Sequence, residues 1–365
     1  MNVNQQPYRT IWVNAITQHL NAVCIIDQTR LPHQFEVVTI NDAAQMIHAI
    51  KTMQVRGAPL IGAAAAYGLA LAAQQDASDA SLKNAASALI QSRPTAVNLQ
   101  WAVARMQNIL TNTPQVQRNF AAWREAGAIC NEDVALNLAI GTHGLALIQS
   151  AIKSNTHALN QPAINILTHC NAGWLATVDG GTALAPIYAA HDAGLNVHVW
   201  VDETRPRNQG ASLTAWELAQ HGVPHTVISD NAGGHLMQHG KVDMVIVGAD
   251  RVTANGDVCN KIGTYLKALA AFDNAIPFYA AVPSPTIDWT MTNGSAIEIE
   301  ERDGDEIRLM RGKLANGEMA EVNILPANTK VANPAFDVTP ARLVTAIITE
   351  QGVFTPADLK HMIKT

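Results

Sequence analysis

The chain has no paired-cysteine motif, no HExxH, no G-x-G-x-x-G opening a helix after a strand, and no G-x-x-x-x-G-K-[ST]. Its four cysteines, Cys24, Cys130, Cys170 and Cys259, are scattered, which argues against a zinc site and a disulfide framework and leaves reduced thiols as the expectation. Without the glycine fingerprints, dinucleotide and P-loop nucleotide binding lose their support. No cofactor and no metal are expected. Positive charge is not in excess either: the formal net charge is -6, so no overall field attracts nucleic acid or an anionic membrane. Long apolar runs are lacking, since the longest, from Ala58 to Ala73, falls short of the ~20 residues a bilayer requires and reads as a buried helix. The opening MNVNQQPYRT lacks the basic-then-apolar pattern of a secretory leader, so a cytoplasmic location is expected.

What is present is a large apolar fraction. With 48% hydrophobic and only 15% charged residues over 365 positions, the chain can bury a sizeable core and has the length of two domains. Ala22–Asp27 and Phe35–Ile40 read as a hairpin around a polar turn. Asn41 and Asp42 can cap a helix running to Lys51, and helical patterns follow at Ala58–Ala73, Ala80–Gln91, Asn98–Leu110 and Glu132–Lys153. From Ile164 the rhythm changes to short apolar strands alternating with helices: INILTH, VHVWVD, HTVISD, DMVIVG and FYAAVP. That alternation predicts an α/β fold, a Rossmann-like doubly wound parallel sheet in residues 156–365, behind a mainly helical domain with a small β element in residues 1–155. Thr286–Asn333, less regular and charged, reads as an elaboration of the second domain with a hairpin in MRGKLANGEMAEV.

Ligands of open α/β sheets bind beyond the carboxyl ends of the strands, where loops and helix N-termini converge. This rule selects Cys170 after the first strand and Asp250 after the fourth. A thiol followed by Asn171-Ala172-Gly173 sits where backbone amides stabilise a thiolate. A carboxyl ending the apolar MVIVGA run is placed to keep a proton for donation. The competing readings are structural, a small buried hydrophobe for Cys170 and a cap or turn residue for Asp250. Anion-binding candidates are Arg56-Gly57-Ala58, Arg93-Pro94, and Asn260-Lys261 at a helix start. His169 adjoins Cys170, but neighbours on a strand point to opposite faces, which favours a supporting role. Trp200 and Trp216 read as packing residues.

These segments are similar to a known family. RGAPLIGAAAAYG, RPTAVNLQWAV, ILTHCNAG, GTALAPIYAAHDAG, DETRPRNQGASLTAWEL, SDNAGG, VGADRVTANGDVCNKIGT and NPAFDVTP occur in order along almost the whole length. The chain resembles the S-methyl-5-thioribose-1-phosphate isomerases of methionine salvage. The resemblance implies an aldose–ketose isomerase with Cys170 and Asp250 as the reacting pair. It also implies substrate contacts from Arg56, Gly57, Ala58, Arg93, Gln209, Asn260 and Lys261, a small sugar phosphate as partner, and a homodimer. Trp174, Asp179-Gly180, Asn208 and Ser212 depart from the family pattern, and a bulky Trp174 is expected to reshape the pocket around the C5 substituent. A 5-deoxyribose 1-phosphate isomerase therefore stays open as an alternative. The fold also resembles the regulatory subunits of the translation initiation guanine-nucleotide exchange factor, which are interaction proteins.

Overall fold

The computed structural model describes residues 1–15, 20–154 and 163–364. The expected domain boundary at 155–156 lies outside the described residues. A two-stranded ladder of β1 (Asn2–Val3) and β2 (Gln6–Pro7) precedes an antiparallel sheet of β3 (Ile11–Ala15), β4 (Asn21–Ile26) and β5 (Val37–Ile40). The predicted hairpin is β4 and β5, with Val23 opposite Ile40; β3 completes it from the other side.

Helix α1 (Ala43–Lys51) starts as expected, with the Asp42 carboxylate accepting the Gln45 N–H at 2.7 Å. α2 (Ala58–Gln75) is apolar all round, and from Leu60 to Ala73 every residue is buried, so the long Ala/Gly run is the axis of a helical core. Its small side chains let α3 (Asp79–Ser92), α4 (Val97–Thr111) and α5 (Arg118–Ser154) pack closely around it. Leu60, Leu69 and Leu71 are fully buried there, each contributing about 1.5–3 kcal/mol. The predicted Glu132–Lys153 helix is the second part of α5. One window of the helical segment Gln115–Lys153 is long and apolar enough to cross a membrane. In the fold this helix is a strut: Ala122, Ala126 and Ile129 join the N-terminal core, while Ile140 and Ile148 join the core under the large sheet.

That sheet follows from the five predicted strands. In chain order come β6 (Ile164–Thr168), α6 (Ala185–Asp192), β7 (Val197–Asp202), α7 (Ala215–His221), β8 (His225–Ile228), α8 (Ala232–Gln238) and β9 (Met244–Val247). They are followed by β10 (Arg251–Thr253), β11 (Val258–Lys261), α9 (Thr264–Asp273), β12 (Phe278–Ala281), β13 (Ile287–Asp288) and α10 (Asp305–Arg308). The chain continues through β14 (Leu309–Lys313), β15 (Met319–Asn323), β16 (Phe336–Thr339), β17 (Ala346–Thr349) and β18 (Gly352–Phe354). The seven-stranded order is β18-β17-β12-β9-β6-β7-β8, parallel except for β18 against β17. From β6 the chain winds outward through β7 and β8, then returns to the other side of β6 for β9 and β12. The switch point of this doubly wound sheet thus lies between β6 and β9, where Ile166 pairs with Met244 and Leu167 with Val245.

A second sheet, β13-β10-β11-β16, was not foreseen in the sequence. It places Asn260 and Lys261 at the end of strand β11, two residues before the α9 cap, and not at the helix start itself. The hairpin expected in MRGKLANGEMAEV is β14 and β15.

Candidate active site

Cys170 stands two residues beyond β6 and Asp250 three beyond β9, on the adjoining strands that flank the switch point. Cys170 adopts φ 68, a conformation costly for a side chain with a β-carbon and one held only by its surroundings. Those surroundings come from neighbouring strand ends. Its N–H donates to Thr204 Oγ1 at 2.8 Å, and its carbonyl accepts from Thr214 Oγ1 at 2.7 Å. Thr204 is itself held by Asp230, whose carboxylate accepts its N–H at 2.6 Å. The loops after β6, β7 and β8 are therefore latched in series, and they aim the thiol. Its Sγ donates to Gln209 Oε1 at 3.2 Å.

Arg56, Gly57, Ala58, Arg93, Cys170, Gln209, Asp250, Asn260 and Lys261 all line one small cavity. Gly57 caps α2 with φ 93, and a β-carbon there would lie 2.5 Å from Ala176 Cα, so only glycine lets the positive end of the helix reach the cavity. Arg56 is clamped by Asn171, donating from Nη2 to its backbone carbonyl at 2.6 Å and from Nη1 to its side-chain oxygen. Burial lowers the Arg56 pKa, opposed by the Cys170, Asp250 and Glu217 charges. Lys261 donates to the Ala335 carbonyl at 2.9 Å and lies 4.7 Å above the Phe336 ring. Burial first, then Arg302, pushes Lys261 down to about 8. Asn260 donates to Thr264 Oγ1 at 2.9 Å, tying β11 to α9.

A wider cleft of about 440 Å³ adjoins this cavity, and Met53, Arg56 and Gln209 line both. Leu31, Leu213, Leu309, Met310 and Met319 give the cleft an apolar side. Asn208 and Ser212 line it as well.

His169, which like Cys170 lies beyond the end of β6, shares no hydrogen-bond partner with the thiol. Its Nδ1 is 2.8 Å from Asp202 Oδ2 and its Nε2 is 2.8 Å from the Ile262 carbonyl oxygen. His169, Asp202 and Asp230 offer donor atoms all within 4.8 Å of one another, a grouping able to hold a cation. Lys267 supplies one: its ammonium is 3.0 Å from Asp202 Oδ2 and donates to the Asp230 carbonyl.

Several lining residues were missed. Met53, Asn171, Thr286, Arg302 and Phe336 also face the inner cavity, and Arg302 comes from the segment read as a mere elaboration. Trp174 corrects the expectation in the other direction. It is fully buried in a cluster with Ile26, Leu31 and Leu213, stacked on Trp216 at 6.2 Å, and lines neither cavity. Trp216 packs as foreseen, and Trp200 donates from Nε1 to the Lys241 carbonyl at 2.8 Å.

Residues 54–356 match the initiation factor 2 subunit family. The methylthioribose-1-phosphate isomerase of Rhodospirillum rubrum is 62% identical over 355 residues, covering 97% of this chain and 90% of that protein. Among solved structures, the 5-methylthioribose 1-phosphate isomerase of Pyrococcus horikoshii OT3 superposes with a TM-score of 0.80 at 39% identity, covering 98% of this chain and 96% of that one. The translation initiation factor eIF-2B subunit delta of A. fulgidus gives 0.78 at 40% identity, covering 98% of this chain and 100% of that one. The chain belongs to the initiation factor 2 subunit family and, within it, to the methylthioribose-1-phosphate isomerases.

Proposed function

We propose that this chain isomerises 5-methylthioribose 1-phosphate to 5-methylthioribulose 1-phosphate, with Cys170 and Asp250 as its reacting pair. One observation carries the assignment of the pair: the thiol and the carboxyl, from the two strands at the switch point, line the same cationic cavity. The chemistry requires such a site. A phosphate on C1 blocks the anomeric oxygen, so the ring cannot open to a free aldehyde without acid assistance. Asp250 protonates the ring oxygen as its bond to C1 breaks, and the Cys170 thiolate removes the C2 proton to give an enol phosphate. The Cys170 thiol then returns a proton to C1 while the C2 hydroxyl gives its proton to the Asp250 carboxylate, which yields the ketose and restores both groups. The cations and the α2 N-terminus hold the phosphate in the inner cavity, while the apolar side of the outer cleft receives the C5 methylthio group.

Turnover of 5-methylthioribose 1-phosphate by the purified protein tests this reading. Cys170→Ser and Asp250→Asn are each expected to lose about 10²–10⁴-fold in kcat while keeping the wild-type melting temperature. Deuterium from solvent should enter C1, and its complete exclusion would favour a hydride shift from C2 instead. Wild type inert toward every C5-modified ribose 1-phosphate would transfer the protein to the non-catalytic reading. The proposal includes a cytoplasmic homodimer of two-domain subunits divided near residues 155–156; sedimentation velocity and limited proteolysis check assembly and division.

A further inference from the structure

Among the described residues four cationic side chains face the inner cavity: Arg56, Arg93, Lys261 and Arg302. Arg56 is already committed to Asn171, and Lys261 donates to a backbone carbonyl. The other two share one partner. Glu300 Oε2 lies 3.3 Å from Arg93 Nη2, and Glu300 Oε1 lies 3.1 Å from Arg302 Nε. A single carboxylate thus holds one guanidinium from the helical half of the chain and one from the segment between β13 and α10. Beyond that carboxylate their hydrogen bonding is thin. Among the described residues Arg93 Nε is buried with no acceptor, and Arg302 Nη1 meets only the Met53 thioether, a weak acceptor, at 3.9 Å. The Phe336 face carries both Lys261 at 4.7 Å and the Arg302 guanidinium at 5.5 Å.

Cations brought this close and out of water repel one another unless an anion joins them. Arg302 depresses both Arg93 and Lys261, after burial itself. Burial pushes the Glu300 carboxyl up, yet Arg93 and Arg302 outweigh it and hold the group below its ordinary value. One glutamate neutralises one of these charges. Guanidinium forks match the oxygens of a phosphate dianion, which would answer the remaining charge and the unpaired donor together.

We propose that Arg302 is a further substrate-binding residue, which donates with Arg93 to the phosphate dianion, and that Glu300 is the resident counter-anion which the phosphate displaces from both guanidiniums. This deepens the isomerase reading and rests on it for the identity of the sugar.

The experiment titrates inorganic phosphate into the full-length wild type, Arg302→Met and Glu300→Gln by calorimetry. Melting temperatures and the KM for 5-methylthioribose 1-phosphate are measured on the same preparations. Arg302→Met is expected to weaken phosphate and raise KM each by about 10- to 100-fold, the range of a lost charge-assisted hydrogen bond, with a smaller change in kcat. Glu300→Gln is expected to tighten phosphate binding, because the internal competitor has lost its charge. A folded Arg302→Met with wild-type phosphate affinity and KM overturns the proposal, as does a folded Glu300→Gln that binds phosphate no more tightly. Wild type with no measurable phosphate binding overturns it too. If Arg302→Met does not fold, Arg302→Gln and Glu300→Gln decide between the same outcomes. Turnover is read separately: an inert wild type sinks the isomerase reading, whereas the phosphate titration still decides Arg302.

Discussion

Glu217 fixes the orientation of Asn171. The Asn171 amide nitrogen donates to the Glu217 carboxylate and, at 3.1 Å, to Thr214 Oγ1, which leaves the amide oxygen turned to Arg56. Glu217 is fully buried on α7, and it fits only because Gly173 has no side chain: a β-carbon there would lie 2.1 Å from Oε1. A carboxylate outside the cavity thereby positions a guanidinium inside it.

Glu217 makes stability depend on pH. Burial pushes its carboxyl up to about 7, against the opposing hydrogen bonds from Asn171 and the Leu175 N–H. A raised carboxyl binds its proton more tightly in the folded state, so folding suffers no penalty from it below about 4.5. The penalty grows as pH rises through 7 and reaches at most about 3 kcal/mol. Urea unfolding from pH 4.5 to 8 should show the stability of Glu217→Gln gaining on wild type over that window. A difference that stays flat across the window would remove Glu217 as the titrating group.

Lys261 sets an alkaline limit on substrate capture. Its ammonium, pushed down to about 8 by burial and Arg302, deprotonates in the free enzyme as pH passes that value. The profile of kcat/KM, which reports free-enzyme groups, should therefore fall above pH 8. In Lys261→Arg the charge persists to higher pH, so that limb should move upward or vanish. An unmoved limb in this variant would assign the descent to another group.

Gly57→Ala should damage both fold and site. The position combines φ 93 with a β-carbon 2.5 Å from Ala176 Cα and 2.6 Å from its carbonyl oxygen, so backbone must move. The sparsely populated backbone conformation alone costs roughly 1–3 kcal/mol for a residue with a β-carbon, and the displaced loop adds to it. The expected result is a melting temperature lower by several degrees together with a raised KM, because the α2 N-terminus withdraws from the cavity. A variant that melts like wild type would show that this loop yields without cost.

Much of the site was legible because its residues follow apolar strands. INIL and MVIV are buried runs whose ends are easily located, and a reactive thiol or carboxyl just beyond them stands out. Arg302 and Glu300 escaped notice for the opposite reason. They lie in a charged, irregular stretch where solvated arginines and glutamates are the ordinary occurrence. Trp174 misled because its closeness to Cys170 in sequence says nothing about side-chain direction, and a 3-10 turn carries it into the aromatic stack with Trp216.

The sequence by itself determined the main N-terminal helices, the five central strands and the groups that terminate each of those strands, because propensity, capping and periodicity act over a few residues. Only the tertiary structure decided that β9 returns to the flank of β6, so that Asp250 and Cys170 line one cavity, and that Glu300 draws Arg302 to Arg93. Strand order and distant ion pairs are settled by the burial of whole faces against one another, a quantity that no local stretch of chain contains.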